Sequence, residues 1–301
     1  MSGRQPTRDQ KNQKPRRRRS LRTWFMLLLL LTIPPAAVQL NDHRASFIAT
    51  LDHQYLRFQR AWRRAYVKVS PTLPGTPSIK TLDTRLRAAG FKSGDPLLIR
   101  IFKHEFEFEI WMRDGASFKL FETYPICRYS GHLGPKLKEG DRQSPEGFYT
   151  VAKGQLNPNS RWHRSFNLGF PNLFDRSYGR TGSFLMVHGG CSSIGCYAMT
   201  NDAMDEIWQL VTKALQNGQR RIQVQSFPFR MTEANLAARR DHKWAAYWAD
   251  LKVGHDLFED TRQPLQVSVC DGQYMFAKAE KRASPPRLKR NCPRPKSVAT
   301  R

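Results

Sequence analysis

From Leu97 onward the apolar positions fall into short alternating or continuous runs: Leu97-Leu-Ile-Arg-Ile-Phe102, Phe106-Glu-Phe-Glu-Ile-Trp111 and Phe118-Lys-Leu-Phe-Glu-Thr-Tyr-Pro-Ile126. A period of two bounded by turn residues predicts strands, and Arg113-Asp-Gly-Ala supplies the turn between the last two. Strands dominate as far as Met186. The period then changes: Met204, Ile207, Trp208, Val211 and Leu215 share one helical face, with Asn201-Asp202 as the cap and Gly218 as the stop. Arg221 to Phe227 returns to a strand. Thr232 to Lys252 reads as a helix with Trp244, Tyr247, Trp248 and Leu251 as its packing stripe. Near the start, residues 42–67 place Phe47, Leu51, Tyr55, Phe58, Trp62 and Tyr66 three or four apart, which predicts an amphipathic helix docked on the domain. Arg60, Arg63 and Arg64 beside those aromatics leave a membrane-surface position as the alternative. A Pro-rich connector over Ser70 to Ser78 leads into a short helix at about 79–89. There are no internal repeats, and periodicity by itself supports a β-rich fold with helices.

One apolar run has another meaning. Trp24-Phe-Met-Leu-Leu-Leu-Leu-Leu-Thr-Ile33 follows a cluster of arginines at 16–19 and precedes Pro34-Pro-Ala-Ala37. Spanning a bilayer takes roughly 20 apolar residues, so the run fits a secretory signal better than a transmembrane helix; an uncleaved amino-terminal anchor is the alternative. Either way the folded part faces an extracytoplasmic space. That bears on the net charge of +25 over 301 residues. Residues 1–22 carry nine Arg or Lys against one Asp, and residues 278–301 nine against one Glu, so 16 of the 25 excess charges sit in the two tails. Charge runs at termini are usually solvated segments, and with export they disfavour nucleic acid as a partner.

The candidate chemistry lies between Phe184 and Thr200, where an apolar strand ends in His188 and a small-residue loop returns to Cys196. A thiol is only slightly ionised at neutral pH and becomes a nucleophile when a base stands beside it. Cys196 is the candidate nucleophile and His188 its general base and acid. The small residues before the thiol let backbone N–H groups around Gly195 approach a substrate carbonyl and hold its developing charge. Two plainer readings remain: a packed, inert cysteine, or part of a zinc site. His188, Cys191 and Cys196 lack the paired spacing of zinc ligands. No cofactor or metal is indicated.

The His188-Gly189 pair followed by Ser193-Ile194-Gly195-Cys196 resembles the active-site signature of the L,D-transpeptidase (YkuD-like) family. The segments Tyr124 to Arg128, Gly134 to Tyr149, Gln155 to Ser160, Asn167 to Asn172 and Phe227 to Met231 are similar to its YafK-type branch, and the similarity runs from about Asp95 to beyond Glu259. The resemblance implies a mainly β catalytic domain with helices, a mixed-sheet β-sandwich with helical additions at both ends. It implies acyl transfer on peptidoglycan stem peptides through a Cys196 thioester, with hydrolysis of wall-linked lipoprotein or of cross-links as the alternative outcome. A basic wall- or membrane-binding module without catalysis is the reading from another class. Gly189 would permit close packing beside the imidazole and Ser193 would orient substrate or histidine, while Arg142, Tyr149, Asn167 and Tyr197 would line the cleft. Two positions depart from the broader family, which carries a histidine where this chain has Ile194 and an arginine or asparagine where it has Ala198.

The organisation that follows is a signal or anchor over 1–40, helix and connector over 41–78, catalytic domain over 79–228, helical extension over 229–277 and a basic tail over 278–301. Five cysteines leave at least one unpaired. Cys270 with Cys292 and Cys127 with Cys191 are candidate bridges, and four reduced thiols are an equal alternative.

Overall fold

The computed structural model describes residues 47–278 and 287–292. The signal or anchor, most of the basic tail and the first residues of the amino-terminal helix lie outside them. Ala45 to Arg301 make one compact unit.

The strand runs read from periodicity form a five-stranded sheet. Its members are β1 (Leu97–Phe102), β2 (Glu107–Asp114), β3 (Ser117–Pro125), β5 (Gly147–Val151) and β10 (Ile222–Phe227), ordered β3-β2-β1-β10-β5. All neighbours are antiparallel except β1 and β10, which run parallel with Ile99 opposite Val224. β1 and β10 are buried along their whole length, which is why Leu97 to Phe102 reads as a continuous apolar run and not an alternating one.

A second five-stranded sheet of shorter strands carries the candidate chemistry. It comprises β4 (Arg128–Tyr129), β6 (Leu156–Asn157), β7 (Ser165–Asn167), β8 (Met186–His188) and β9 (Tyr197–Ala198), ordered β4-β9-β8-β7-β6, with β8 and β9 parallel. Side chains alternate across it. Tyr129, Tyr197, Val187 and Phe166 form the fully buried row and join the single core shared with the first sheet. Arg128, Ala198, His188 and Ser165 stand opposite one another along the other face.

α4 (Asn201–Gln216) follows β9, burying Met204, Ile207, Leu210, Val211 and Leu215. Its cap is Thr200, whose hydroxyl accepts from the Ala203 N–H, and not Asn201 or Asp202. Around residues 79–89 a 3-10 turn (Ile79–Thr81) leads into α2 (Leu82–Ala88), and α3 (Leu173–Ser177) follows β7.

The helical stretch expected from Thr232 to Lys252 is two helices, α5 (Glu233–Ala238) and α6 (Ala245–Thr261), with Tyr247, Trp248 and Leu251 buried as their spacing predicts. The extension over 229–277 is not purely helical. It ends in a hairpin of β11 (Leu265–Cys270) and β12 (Gln273–Lys278) turning at Asp271-Gly272. The turn carries its own signal: Asp-Gly takes the positive φ a tight hairpin needs, here 47° and 76°. Phe276 and Tyr274 from this hairpin pack edge-on against Phe148. β13 (Lys289–Arg290) lies parallel to β11, and a Cys270–Cys292 disulfide closes this corner.

Residues 47–66 form α1, as the periodicity predicts, but its docking face differs from the expected one. Phe47, Leu51, Tyr55, Phe58 and Trp62 are exposed. The face on the body carries Leu56, Asp52, Arg60 and Arg63. Arg239 clasps Asp52 through Nε at 2.8 Å and Nη2 at 2.7 Å, and Arg63 Nε donates to the Ile126 carbonyl at 3.0 Å. Arg60 donates to the Gly131 carbonyl. The helix is held by charge-assisted hydrogen bonds, which a search for an apolar stripe does not register.

Candidate active site

β8 ends at His188, and the chain then makes a loop back to Cys196 that hydrogen bonds pin on all sides. Gly189 N–H donates to the His163 carbonyl at 3.2 Å, Gly190 N–H to Asn201 Oδ1 at 2.8 Å, and Cys191 N–H to the Met199 carbonyl at 3.1 Å. Ser193 Oγ donates to the Cys196 carbonyl at 2.7 Å and itself accepts from Gly195 N–H at 3.2 Å and from Ser130 Oγ at 3.0 Å. Two glycines are required by this geometry. A Cβ on Gly189 would lie 2.6 Å from Asn201 Oδ1, and Gly195 has φ of +154° with a Cβ position 3.2 Å from Leu185. A disulfide from Cys191 to buried Cys127, with Cα atoms 5.3 Å apart, ties the loop to the strand beside β9. Cys196 is the free cysteine.

Cys196 and His188 line the same cavity, of about 730 Å3. The thiol accepts from Met186 N–H at 3.4 Å and donates to the Phe184 carbonyl at 3.6 Å, weak bonds that leave the sulfur accessible. His188 is 3% exposed. Its Nδ1–H donates to the Gly189 carbonyl at 2.5 Å, which leaves Nε2 as the nitrogen with a lone pair to offer. Ser193 turns out to staple the loop. The Gly195 amide is occupied by it at rest, so acting as an oxyanion donor requires exchange of that bond for substrate.

The electrostatics favour a neutral resting pair. Burial pushes the Cys196 thiol up, with the Met186 N–H and the Lys136 ammonium opposing in lesser measure. Burial pushes the His188 imidazole down, with the Gly189 bond opposing. A thiol held high and an imidazole held low do not exchange a proton at rest. The alkylation rate of Cys196 by iodoacetamide is therefore expected to keep rising with pH beyond the ordinary thiol range. A plateau near neutrality would reveal a preformed thiolate–imidazolium pair instead. If His188 serves as the base in turnover, its neutral form is lost as pH falls through its lowered pKa, and the acid limb of kcat/KM should lie below the ordinary imidazole range.

Of the other residues read from sequence, Arg142 lines the cavity. Tyr149 does not: its hydroxyl is buried, donating to the Glu146 carbonyl at 3.0 Å and lying 3.2 Å from Asp175 Oδ2. Tyr197 is turned into the core, where its hydroxyl donates to the Pro145 carbonyl at 2.6 Å. Strand alternation forces this, because neighbours in a strand face opposite ways. Asn167 borders a different cavity with Gln155 and Arg176.

Sequence reading missed Lys136, Ser165, Trp162 and Phe184, all lining the site. Lys136 is 4% exposed and paired with Asp141 Oδ1 at 2.5 Å. Ser165 faces His188 across β7 and β8, buried, with its hydroxyl unpartnered. Phe184 and Ile194 are exposed at the rim. Ala198, where the family's arginine would be, is fully buried in β9, and the cations on this cavity are Lys136, Arg142 and Arg161.

The Cys127–Cys191 bridge spans 64 residues and fastens the loop that carries the thiol. Replacing both cysteines by serine is expected to cost roughly 2–4 kcal/mol in urea unfolding and to lower Cys196-dependent turnover. Unchanged turnover would show that Asn201 and Ser193 hold the loop unaided.

Comparisons with known proteins bear on the family of this chain. A family model described as the L,D-transpeptidase catalytic domain (YkuD) matches residues 99–245. A protein of Escherichia coli K12 named "Putative L,D-transpeptidase YafK" is 49% identical over 185 residues, 62% of this chain and 75% of its own length. Its Escherichia coli O157:H7 counterpart matches to the same extent. Among solved structures, the helical cell shape determining protein Pgp2 from Campylobacter jejuni overlaps at a TM-score of 0.37 and 16% identity, covering 62% of this chain and 79% of that one. Bd1075 from Bdellovibrio bacteriovorus overlaps at 0.32 and 17%, covering 52% and 56%. With 49% identity across three quarters of a relative's length and a matching family model, the chain belongs to the L,D-transpeptidase (YkuD) catalytic-domain family.

Proposed function

We propose that this chain performs acyl transfer on peptidoglycan stem peptides through a thioester on Cys196, in the envelope space outside the inner membrane. The observation that carries the reading is the sharing of one cavity by the free thiol and by a buried imidazole whose Nδ1 is fixed by Gly189. Cys196 Sγ attacks the carbonyl of the diamino-acid residue while His188 Nε2 takes the thiol proton. The tetrahedral intermediate places its oxyanion at the Gly195 and Cys196 amides, each donor contributing about 3 kcal/mol in the transition state. The C–N bond then breaks, the imidazolium proton passes to the leaving amine, and the thioester remains. An acceptor amine attacks that thioester, gives its proton to His188, and restores the thiol.

The cavity supports this substrate class. Lys136, Arg142 and Arg161 suit the carboxylates of a stem peptide, and Phe184, Ile194 and Trp162 suit its alkyl arm. Two disulfides support an oxidising compartment, in keeping with the apolar segment at 24–33 acting as a signal or anchor.

Water in place of the amine would make the enzyme a hydrolase, releasing cross-links or wall-linked lipoprotein from the same thioester. Incubating the protein with tetrapeptide, cross-linked and lipoprotein-linked muropeptides, read by mass spectrometry, separates the outcomes. New cross-links or exchange of the terminal D-amino acid support transfer. Water-addition products alone overturn transfer in favour of hydrolysis, and no conversion by the wild type overturns both.

A further inference from the structure

The outward face of α1 is apolar over about four turns. Phe47 is 62% exposed, Leu51 47%, Phe58 66% and Trp62 38%, with Tyr55 beside them and Val69 following at 84%. At about 100° per residue these positions fall within an arc of about 100°. Isolated exposed apolar residues need no explanation, but a continuous aromatic stripe does.

The rest of the helix surface narrows what covers that stripe. Arg57, Arg64 and Lys68 are exposed in a second row alongside it. The one carboxylate in residues 47–70 is Asp52, and it is turned inward and clasped by Arg239 and His104. The free surface of α1 thus holds aromatics and cations and no anion. The docked face is fastened at Asp52, Leu56, Arg60 and Arg63, so the stripe is presented by a helix that cannot roll to bury it.

We propose that α1 is an interfacial helix by which the folded unit rests on an anionic bilayer. Phe47, Leu51, Phe58 and Trp62 would enter the headgroup boundary while Arg57, Arg64 and Lys68 engage lipid phosphates. Charge complementarity favours a membrane over a second copy of this chain, because two copies meeting along α1 would bring two cationic rows together with no carboxylate between them. Aromatic rings at the boundary and cations beside them are the composition of helices that lie in a membrane surface. The inference stands apart from the chemistry proposed for Cys196.

The test uses the compact unit Ala45–Arg301, which lacks the apolar run at 24–33. Sedimentation with sucrose-loaded phosphatidylethanolamine–phosphatidylglycerol vesicles is compared with phosphatidylcholine vesicles. Phe58→Ser with Trp62→Ser removes apolar surface without changing charge, and both positions are exposed, so the thermal melt should be unchanged. The expected result is binding to the anionic vesicles with a partition coefficient about ten-fold lower in the double variant. Brominated acyl chains should quench the unit's tryptophan emission, and the quenching should shrink in Trp62→Phe. Equal partitioning of wild type and double variant, or quenching unaffected by Trp62→Phe, would overturn the proposal by showing that adsorption comes from the unit's general positive charge. Concentration-dependent dimerisation abolished by the double variant, with no vesicle binding, would overturn it in favour of a second copy.

Discussion

Cys196→Ala is expected to reduce conversion of muropeptide substrates by on the order of 10^4-fold or more while leaving the fold intact. The thiol makes only two long hydrogen bonds, to Met186 and Phe184, so little stability is lost with the sulfur. Carbapenem treatment followed by intact mass gives a second readout: the wild type gains one covalent adduct and the variant none. Conversion surviving in Cys196→Ala would overturn the cysteine nucleophile, whereas no conversion by the wild type together with wall binding unchanged in Cys196→Ala would favour the non-catalytic wall-binding reading. His188→Ala should show a comparable loss near neutral pH, partly recovered at alkaline pH where the thiol ionises without help. Recovery of that kind separates a base from a residue that merely packs, because a packing defect would not be relieved by hydroxide.

Removing either partner of Lys103 and Glu146 should cost about 3–5 kcal/mol. Both side chains are fully buried and 2.9 Å apart. Lys103 Nζ also donates to the Gly134 and Ser144 carbonyls, at 2.9 and 3.0 Å, so its three N–H groups meet three acceptors. Glu146 accepts in addition from Gly134 N–H at 2.7 Å and Trp248 Nε1 at 3.0 Å. Lys103→Ala or Glu146→Ala leaves the other charge buried without its counterion. On a unit of this size that should lower the melting temperature by roughly 10 °C. Lys103→Met combined with Glu146→Leu should recover part of the loss, and a double variant as unstable as the sum of the singles would show that the backbone bonds, not the ion pair, matter here.

What the sequence conveyed follows from which forces leave a periodic trace. β1, β2, β3, β10 and α4 were legible because their apolar residues recur at strand or helix spacing, although β3 is mostly half-buried or exposed and β10 also buries Gln223 and Gln225. The docking face of α1 was not, because Asp52, Arg60 and Arg63 dock by hydrogen bonds while the apolar stripe looks outward. The hairpin at Leu265–Lys278 escaped although Asp271-Gly272 marks it, since the helical pattern before it dominated the reading. His188 and Cys196, close in sequence, line one cavity because β8 and one short loop connect them. Lys136, Ser165 and Trp162 reach the cavity from separate segments, and nothing local announces that. Tyr197 illustrates the converse: it adjoins Cys196 in sequence, yet its side chain is turned into the core.

The Lys103–Glu146 pair grips Gly134 and Ser144, the two ends of the segment that brings Lys136 and Arg142 to the cavity. The segment carrying Lys136 and Arg142 is thereby tied to buried groups beside β1 and β5, and changes at that tie threaten folding before they touch selectivity. Among the described residues no buried ion pair holds Phe184, Ile194 or Arg161. Divergence in ligand preference among descendants of this architecture should therefore accumulate at the rim, and laboratory evolution aimed at a new ligand for this cavity would do best to randomise those three positions first.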